Sequence, residues 1–304
     1  MSSRAPIGHL GITRTALCTN QGCKTFVPHD DVNAEFLYHA LGIAMGEIQE
    51  LGSGATFKEV SKSKLASFSI PLPQLSEQKR IASILNEQMA AVEKARKAAE
   101  ERLEAANALR TVYLRESLAV GSTKTMRLGC CLEEVKRGVG EEWHRYPVYG
   151  ATKTGLAMAK DPVGKTPIRY KLVDVGTVFY NPMRIMIGSI AVVDKGTPTG
   201  ITSPDYVAVK PIPGIVHWRW FYHWMRSPYG RHMIQATSRG AVRERILFNR
   251  LKKAEIRVPS WSVQELTAEK LFLLDQLYVK LQEMENSFQP IPASLLRKAF
   301  SGEL

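Results

Sequence analysis

Two stretches of this chain are copies of one another, and that constrains the fold more than any other feature of the sequence. Residues 65–73 read LASFSIPLP and residues 251–259 read LKKAEIRVP, so Leu65, Ile70 and Pro73 fall on Leu251, Ile256 and Pro259 at a shift of 186. The same shift carries Gly54-Ala55 onto Gly240-Ala241, Gln78 onto Gln264, Leu109 onto Leu295 and Leu118 onto Leu304. Upstream, Arg4, Ile7, Gly8 and Leu10 match Arg184, Ile187, Gly188 and Ile190 at a shift of 180, and Leu37–Leu41 (LYHAL) matches Phe221–Met225 (FYHWM) at 184. Small changes of shift are what loop insertions between duplicated units produce. A period this long excludes a short-repeat solenoid, whose units run about 20 to 50 residues.

The repeat implies a plan of globule, helix, globule, helix. We expect a first globule over 1–74, a central helix over 75–118, a second globule over 122–260 and a helical region over 262–304. Subtracting the shift from the start of the second copy puts the start of a complete first copy about 64 residues before Met1, so the first globule is expected to be partial. The fold class is α+β, with globular domains alternating with long helices.

The helical segments are the clearest. From Ser76 to Leu118 apolar or small residues recur at Ile81, Ile84, Leu85, Met89, Val92, Ala95, Ala99, Leu103, Ala106 and Leu109, the stripe of a helix packed on a partner. The second segment repeats it through Leu266, Leu271, Leu274, Leu277, Leu281, Met284 and Phe288 until Pro290 and Pro292 interrupt. A rod of roughly 60 Å needs a neighbour. An antiparallel intramolecular coiled coil satisfies both segments, with Leu85, Val92, Leu103 and Leu109 facing a seam that includes Leu274 and Leu281. Two amphipathic helices each buried on its own globule are the alternative. Elsewhere strands are predicted over Gly176–Tyr180, Ile185–Val193 and Asp205–Lys210, and a helix opening at Trp218.

Composition bounds the partner. The 304 residues carry 41 Lys and Arg against 29 Asp and Glu, a formal net charge of +12, at 44% hydrophobic content. That content excludes a disordered polycation, and the charge suits nucleic acid, although a basic surface can equally meet an acidic protein. Cys18, Cys23, Cys130 and Cys131 match no zinc spacing and no disulfide framework, and no run of about 18 apolar residues occurs, so a soluble cytoplasmic protein is expected.

Catalytic motifs fail one by one. Asn181-Pro182-Met183 lacks the second proline and aromatic of an amino-methyltransferase loop, and no glycine-rich cofactor loop accompanies it. Gly164-Lys165-Thr166 has the P-loop triplet, but Ala159 stands where the upstream glycine belongs. His217, His223 and His232 have no ligand spacing beside Trp218, Trp220 and Trp224. Neither catalytic residues, nor a cofactor, nor a metal is therefore expected.

A binding surface remains. Arg219, Arg226, Arg231, Arg239, Arg243 and Arg245 crowd one stretch among aromatics, and arginines can hold phosphates and read base edges. Lys153 and Thr154 sit in a polar glycine-containing loop able to enter a groove, and Arg184 is the counterpart of Arg4. Against this stands the ordinary reading: a solvated positive surface, with Arg243 and Arg245 paired to Glu244 or Glu255.

At the junctions the sequence resembles the specificity subunits of bacterial and archaeal Type I restriction-modification systems. The resemblance rests on Gly54–Val60 (GATFKEV), Ile70–Pro73 (IPLP) and Gln78–Leu85 (QKRIASIL), and again on Arg239–Arg245, Ile256–Pro259 and the closing Leu296–Leu304. It implies two target-recognition domains, each reading half of a bipartite site in double-stranded DNA. Antiparallel conserved helices would set the spacer and dock modification (methyltransferase) subunits, with the restriction/translocase subunit an indirect partner. Such subunits carry no catalytic residues. A partial first domain departs from that pattern, and a homodimer using the second domain twice would restore it with a symmetric target. The competing readings are an assembly subunit without independent DNA specificity and a divergent DNA methyltransferase.

Overall fold

The computed structural model describes residues 1–54, 58–159, 163–238 and 245–303. The chain divides into two compact units: Met1–Arg102 with Leu281–Leu304, and Leu103–Lys280.

In the first unit, helix α1 (Ala34–Ile43) starts where the Asn33 side chain accepts from the N–H groups of Glu35 and Phe36, an N-cap that satisfies two orphan donors. Short helices α2 (Met45–Glu50) and α3 (Lys62–Ala66) follow, and then the long helix α4 (Leu75–Ala119). Its 45 residues contain neither Gly nor Pro and are rich in Ala, Glu, Lys, Arg and Leu, the strongest helix formers. Arg80 pairs with Glu77, and Arg96 with Glu93 and Glu100, along its outer face.

The second unit is built on strands. β1 (Thr123–Arg127) pairs antiparallel with β10 (Glu255–Pro259). One four-stranded sheet has the order β2 (Leu132–Glu134), β9 (Val207–Pro211), β6 (Val178–Tyr180), β7 (Ile190–Val192). The other runs β4 (Gly155–Met158), β3 (Val148–Thr152), β8 (Gly200–Thr202), β5 (Lys171–Val173), with β3 and β8 parallel. Strand alternation sets the layers. Val178, Tyr180, Ile190, Val207 and Val209 face one core, whereas Phe179, Ala191 and Ala208 face another with Tyr149, Ala151 and Val173 of the second sheet. The first sheet is therefore buried on both faces, which is why its strands read as continuous apolar runs.

Its other face is covered by α5 (Trp218–Arg226), α6 (Pro228–Ser238), α7 (Phe248–Leu251) and parts of the long helices. Trp220, Phe221, Trp224 and Met225 of α5 join Leu114 of α4 and Leu271 of α8 (Trp261–Phe288) in that core. The two long helices meet antiparallel in this unit: Arg110 reaches Asp275 and stacks on Tyr278, and Lys270 lies over Tyr113. In the first unit, Ile81, Ala82 and Leu85 of α4 pack with Phe36 and Ala40 of α1 and with Leu295, Ala299 and Phe300 of α9 (Ile291–Ser301). Pro290 and Pro292 mark the break between α8 and α9.

Three sequence expectations need correction. Leu109 is 39% exposed, so it does not face the seam in its unit; Ala106 and Leu114 are the buried positions on that turn and the next. Leu274 is buried as expected, but Leu266 and Leu277 of the same stripe are exposed. Leu85 is fully buried, while Val92, Leu103 and Leu281 are half-buried. The strand expected over Ile185–Val193 is a 3-10 turn at Ile185–Ile187 followed by β7, because Gly188 takes φ +85°, a left-handed conformation that glycine adopts at no steric cost.

The duplication is visible as chemistry. The Gln78 side chain accepts from the Asn33 N–H at 2.8 Å and donates to the carbonyls of Asp31 and Pro73. Gln264 accepts from the His217 N–H at 2.8 Å and donates to the carbonyls of Ile215 and Pro259. Asn33 and His217 are the side-chain N-caps of α1 and α5. Gly8 shares with Gly188 a positive φ. At this junction the copies differ: Ile256–Pro259 lies in β10, whereas Ile70–Pro73 carries no strand.

Candidate nucleic-acid interface

The candidate surface assembles around Arg226, at the last turn of α5. Its Nη1 donates to the carbonyls of Gly188 (3.4 Å) and Ile190 (2.9 Å), and its Nη2 donates to the carbonyl of Lys153 (2.7 Å). One guanidinium thus ties the β3–β4 turn to the β6–β7 connection. The Ser189 hydroxyl adds a second tie by donating to the Ala151 carbonyl at 2.6 Å. Tyr222 supports the turn from below: its ring lies 5.4 Å from the Arg226 guanidinium, and its hydroxyl occupies the space that a Cβ on Gly155 would approach to 3.0 Å.

Around this clamp lie exposed side chains. Lys153 and Thr154 form the tip of the β3–β4 turn, where the Thr154 and Thr152 hydroxyls share a hydrogen bond of 3.0 Å. Arg184 is exposed in the β6–β7 connection, held by a local turn in which the Asn181 side chain accepts from the Met183 N–H and the Asn181 carbonyl from the Arg184 N–H. The Ile246 N–H donates to the Pro182 carbonyl at 3.0 Å, which brings Arg245 beside that loop. Arg245 is half-buried, and its Nε is buried with no hydrogen-bond partner among the described residues. Arg231 is exposed on α6, which packs against the same connection. No Asp or Glu occurs in residues 146–159, 175–193, 226–238 or 245–254.

Two expected contacts are corrected. Arg219 is 5% exposed: it pairs with Asp194 and is sandwiched at 4.4 Å from both the Trp218 and Phe272 rings, so its charge is spent inside the unit. Arg226 is committed to three carbonyls and positions loops instead of presenting a free guanidinium. Arg239 and Arg243 lie outside the described residues. Of the expected set, the structure thus brings Lys153, Thr154, Arg184, Arg231 and Arg245 to connected segments.

A cleft of about 420 Å³ that sequence reasoning did not single out is lined by Lys136, Arg169, Lys171 and Glu141. Burial pulls the Lys171 ammonium below the usual lysine range, and its Nζ donates to the Tyr206 carbonyl at 2.5 Å. Glu134, which pairs with Lys136, and Asp205 balance the charge there. Nothing in a linear reading groups residues 136, 169 and 171; the bridge between Gly138 and Lys171 and the hydrogen bond from the Val139 N–H to the Tyr170 carbonyl bring them together.

Catalytic signals are sparse. Among the described residues no three His, Cys, Asp or Glu side chains are grouped to hold a metal ion. His223 is buried and bonded to Asp275 at 2.9 Å, and burial lifts the Cys131 thiol to about 11. Among the described residues no helix is long and apolar enough to cross a membrane.

Fold and site together define a duplicated α+β protein built on long antiparallel helices, with exposed cations on connected segments of its second unit. Comparison with known proteins shows what the chain is similar to. Residues 1–102 match the Type I restriction modification DNA specificity domain. The Type I restriction enzyme MjaIX specificity subunit of Methanocaldococcus jannaschii is 39% identical over 88 residues, covering 28% of this chain and 20% of that subunit. The EcoBI specificity subunit of Escherichia coli is 25% identical over 342 residues, covering 95% of this chain and 69% of that protein. Among solved structures, the S subunit of a Type-I restriction-modification system from M. genitalium matches with a TM-score of 0.55 at 18% identity, covering 89% of this chain and 73% of that one, a likeness of fold. Over nearly all of its length the chain is similar to a specificity subunit of a Type I restriction-modification system. Its alignment with the MjaIX subunit spans a fifth of that subunit's length.

Proposed function

We propose that this chain recognises double-stranded DNA through the domain over residues 122–260, reading one half-site, and docks methyltransferase subunits on its long helices. Methylation and cleavage then belong to other subunits of the cytoplasmic complex, and the chain itself catalyses nothing. The observation that carries this reading is that Arg226 ties together two loops bearing the exposed Lys153, Thr154 and Arg184. Exposed cations contribute sequence-independent affinity by neutralising phosphates, and side chains on fixed loops supply base discrimination.

Selection of random duplexes by the full chain together with a modification subunit tests the proposal. Enrichment of a defined sequence is expected, with log affinity falling linearly in log salt by about 0.9 per phosphate neutralised. An asymmetric bipartite site means that both units read DNA; a palindrome means that the second unit is used twice in a homodimer. Failure to enrich any sequence overturns the proposal in favour of an assembly subunit.

Arg226→Ala is expected to lower affinity for the selected duplex about tenfold, because three carbonyl contacts to the two loops are lost together, each modest by itself. Affinity for random duplex should change far less. Arg226→Lys, which cannot span three carbonyls, should not rescue. Competition binding with the two duplexes checks both statements.

A further inference from the structure

The basic face carries two large apolar side chains that the fold does not use. Met183 and Ile187 are 62% and 64% exposed, four residues apart in the β6–β7 connection, and they flank the exposed Arg184. Exposed apolar residues scattered singly need no explanation. These two are not scattered. Their loop is held by the Asn181 turn, by the Ile246–Pro182 hydrogen bond and by Arg226 and Ser189 at its far end. So much anchoring presents the two tips in fixed positions, where a merely tolerated surface residue would need none.

The chemistry of the surroundings names the occupant. Lys153, Arg231 and Arg245 lie on segments tied to or packed against the loop that carries Arg184 and the two tips, and no carboxylate occurs in residues 175–193, 226–238 or 245–254. A surface of this charge fits a polyanion, and an acidic protein partner would not by itself call for two rigid apolar tips with an arginine between them. The DNA major groove does. It displays the O6 and N7 acceptors of guanine, which take a bidentate arginine, and the C5-methyl of thymine, which takes an apolar side chain; the minor groove offers no methyl group.

We propose that Met183 and Ile187 are specificity-determining residues that contact thymine methyl groups in the major groove of the recognised half-site, on either side of Arg184. This rests on the DNA-reading proposal above and extends it from a charged face to a base-reading element. Removing a buried methyl from such a contact should cost about fourfold in affinity.

The test replaces each thymine of the selected duplex by uracil in turn, using the full chain in the same assembly as the selection. For the unsubstituted chain, one or two positions should lose about fourfold, and Met183→Ala with Ile187→Ala should abolish that sensitivity while leaving affinity for random duplex and the salt slope unchanged. Single variants assign each position to one side chain. If the double variant keeps full uracil sensitivity, or if no thymine responds, the inference is overturned while the DNA-reading proposal stands. Loss of selectivity in the variant without any uracil effect also overturns it, in favour of insertion between base steps. Equal weakening on all duplexes means that the two side chains only support the loop and overturns it too. Absence of any selective binding by the unsubstituted chain removes both.

Discussion

Replacing Gln264 by leucine should lower the melting temperature of the second unit by roughly 10 °C. Gln264 is fully buried, and its one amide group serves three backbone partners: the His217 N–H and the carbonyls of Ile215 and Pro259. It fastens the start of α5 and the end of β10 to the first turn of α8. Leucine matches its volume but satisfies none of these groups, and each buried backbone group left unpaired costs about 1 to 3 kcal/mol. A total near 3 to 5 kcal/mol in a unit of this size corresponds to roughly 2 to 4 °C per kcal/mol. Gln78→Leu should lower the first unit's transition by a similar amount, since Gln78 makes the same three bonds. Scanning calorimetry of the two variants resolves the effects; a shift of less than about 3 °C in each would mean that the backbone groups find other partners.

Asp275→Ala should be comparably damaging. Asp275 accepts from Arg110 Nη2 at 2.9 Å and Nε at 3.1 Å, and bonds His223 Nε2 at 2.9 Å, joining α8 to α4 and α5. Removing it strands Arg110 and a buried histidine. A fully buried pair broken this way costs about 3 to 5 kcal/mol, and because the aspartate is about one-third exposed we expect about 2 to 3 kcal/mol. Burial acts to raise its pKa, but the His223 hydrogen bond and the charges of His223 and Arg110 outweigh burial and hold the carboxyl below the usual aspartate range. The folded state therefore binds this proton less readily than the unfolded chain. The stabilisation is complete above the unfolded value near 4 and is lost as pH falls through the lower folded value. Asp275→Asn should flatten that acid limb. Melting temperatures from pH 2 to pH 7 check it, and an unchanged acid limb would place the titration elsewhere.

Much of the architecture was legible in the sequence because it depends on local pattern. Forty-five residues without Gly or Pro leave α4 few alternatives to a helix, and Pro290 with Pro292 stops its counterpart. Ordered identities at a shift of 186 exposed the duplication, and the Gln78 and Gln264 pair turned out to be its most telling member. Periodicity was less reliable about which apolar residues point inward. Leu109, Leu266 and Leu277 fit the stripe but are exposed, since a broad stripe does not say which edge of it the neighbouring helix covers.

The binding face was legible as a charge excess and a cluster of arginines, not as a set of contacts. Arg219 and Arg226 stand about two turns apart on the same helix and look alike in sequence. Asp194, Trp218 and Phe272 bury the first, while the carbonyls of Lys153, Gly188 and Ile190 occupy the second. Ile187 sits in what reads as an ordinary strand until Gly188 turns the chain, and Met183 follows the Asn181-Pro182 pair just before it. The sequence by itself determined the helices, the duplication and the basic character of this protein, because propensity, proline and net charge act along the chain. Only the tertiary structure decided which cations are free and which apolar side chains face solvent, because that depends on partners brought from 25 to more than 70 residues away.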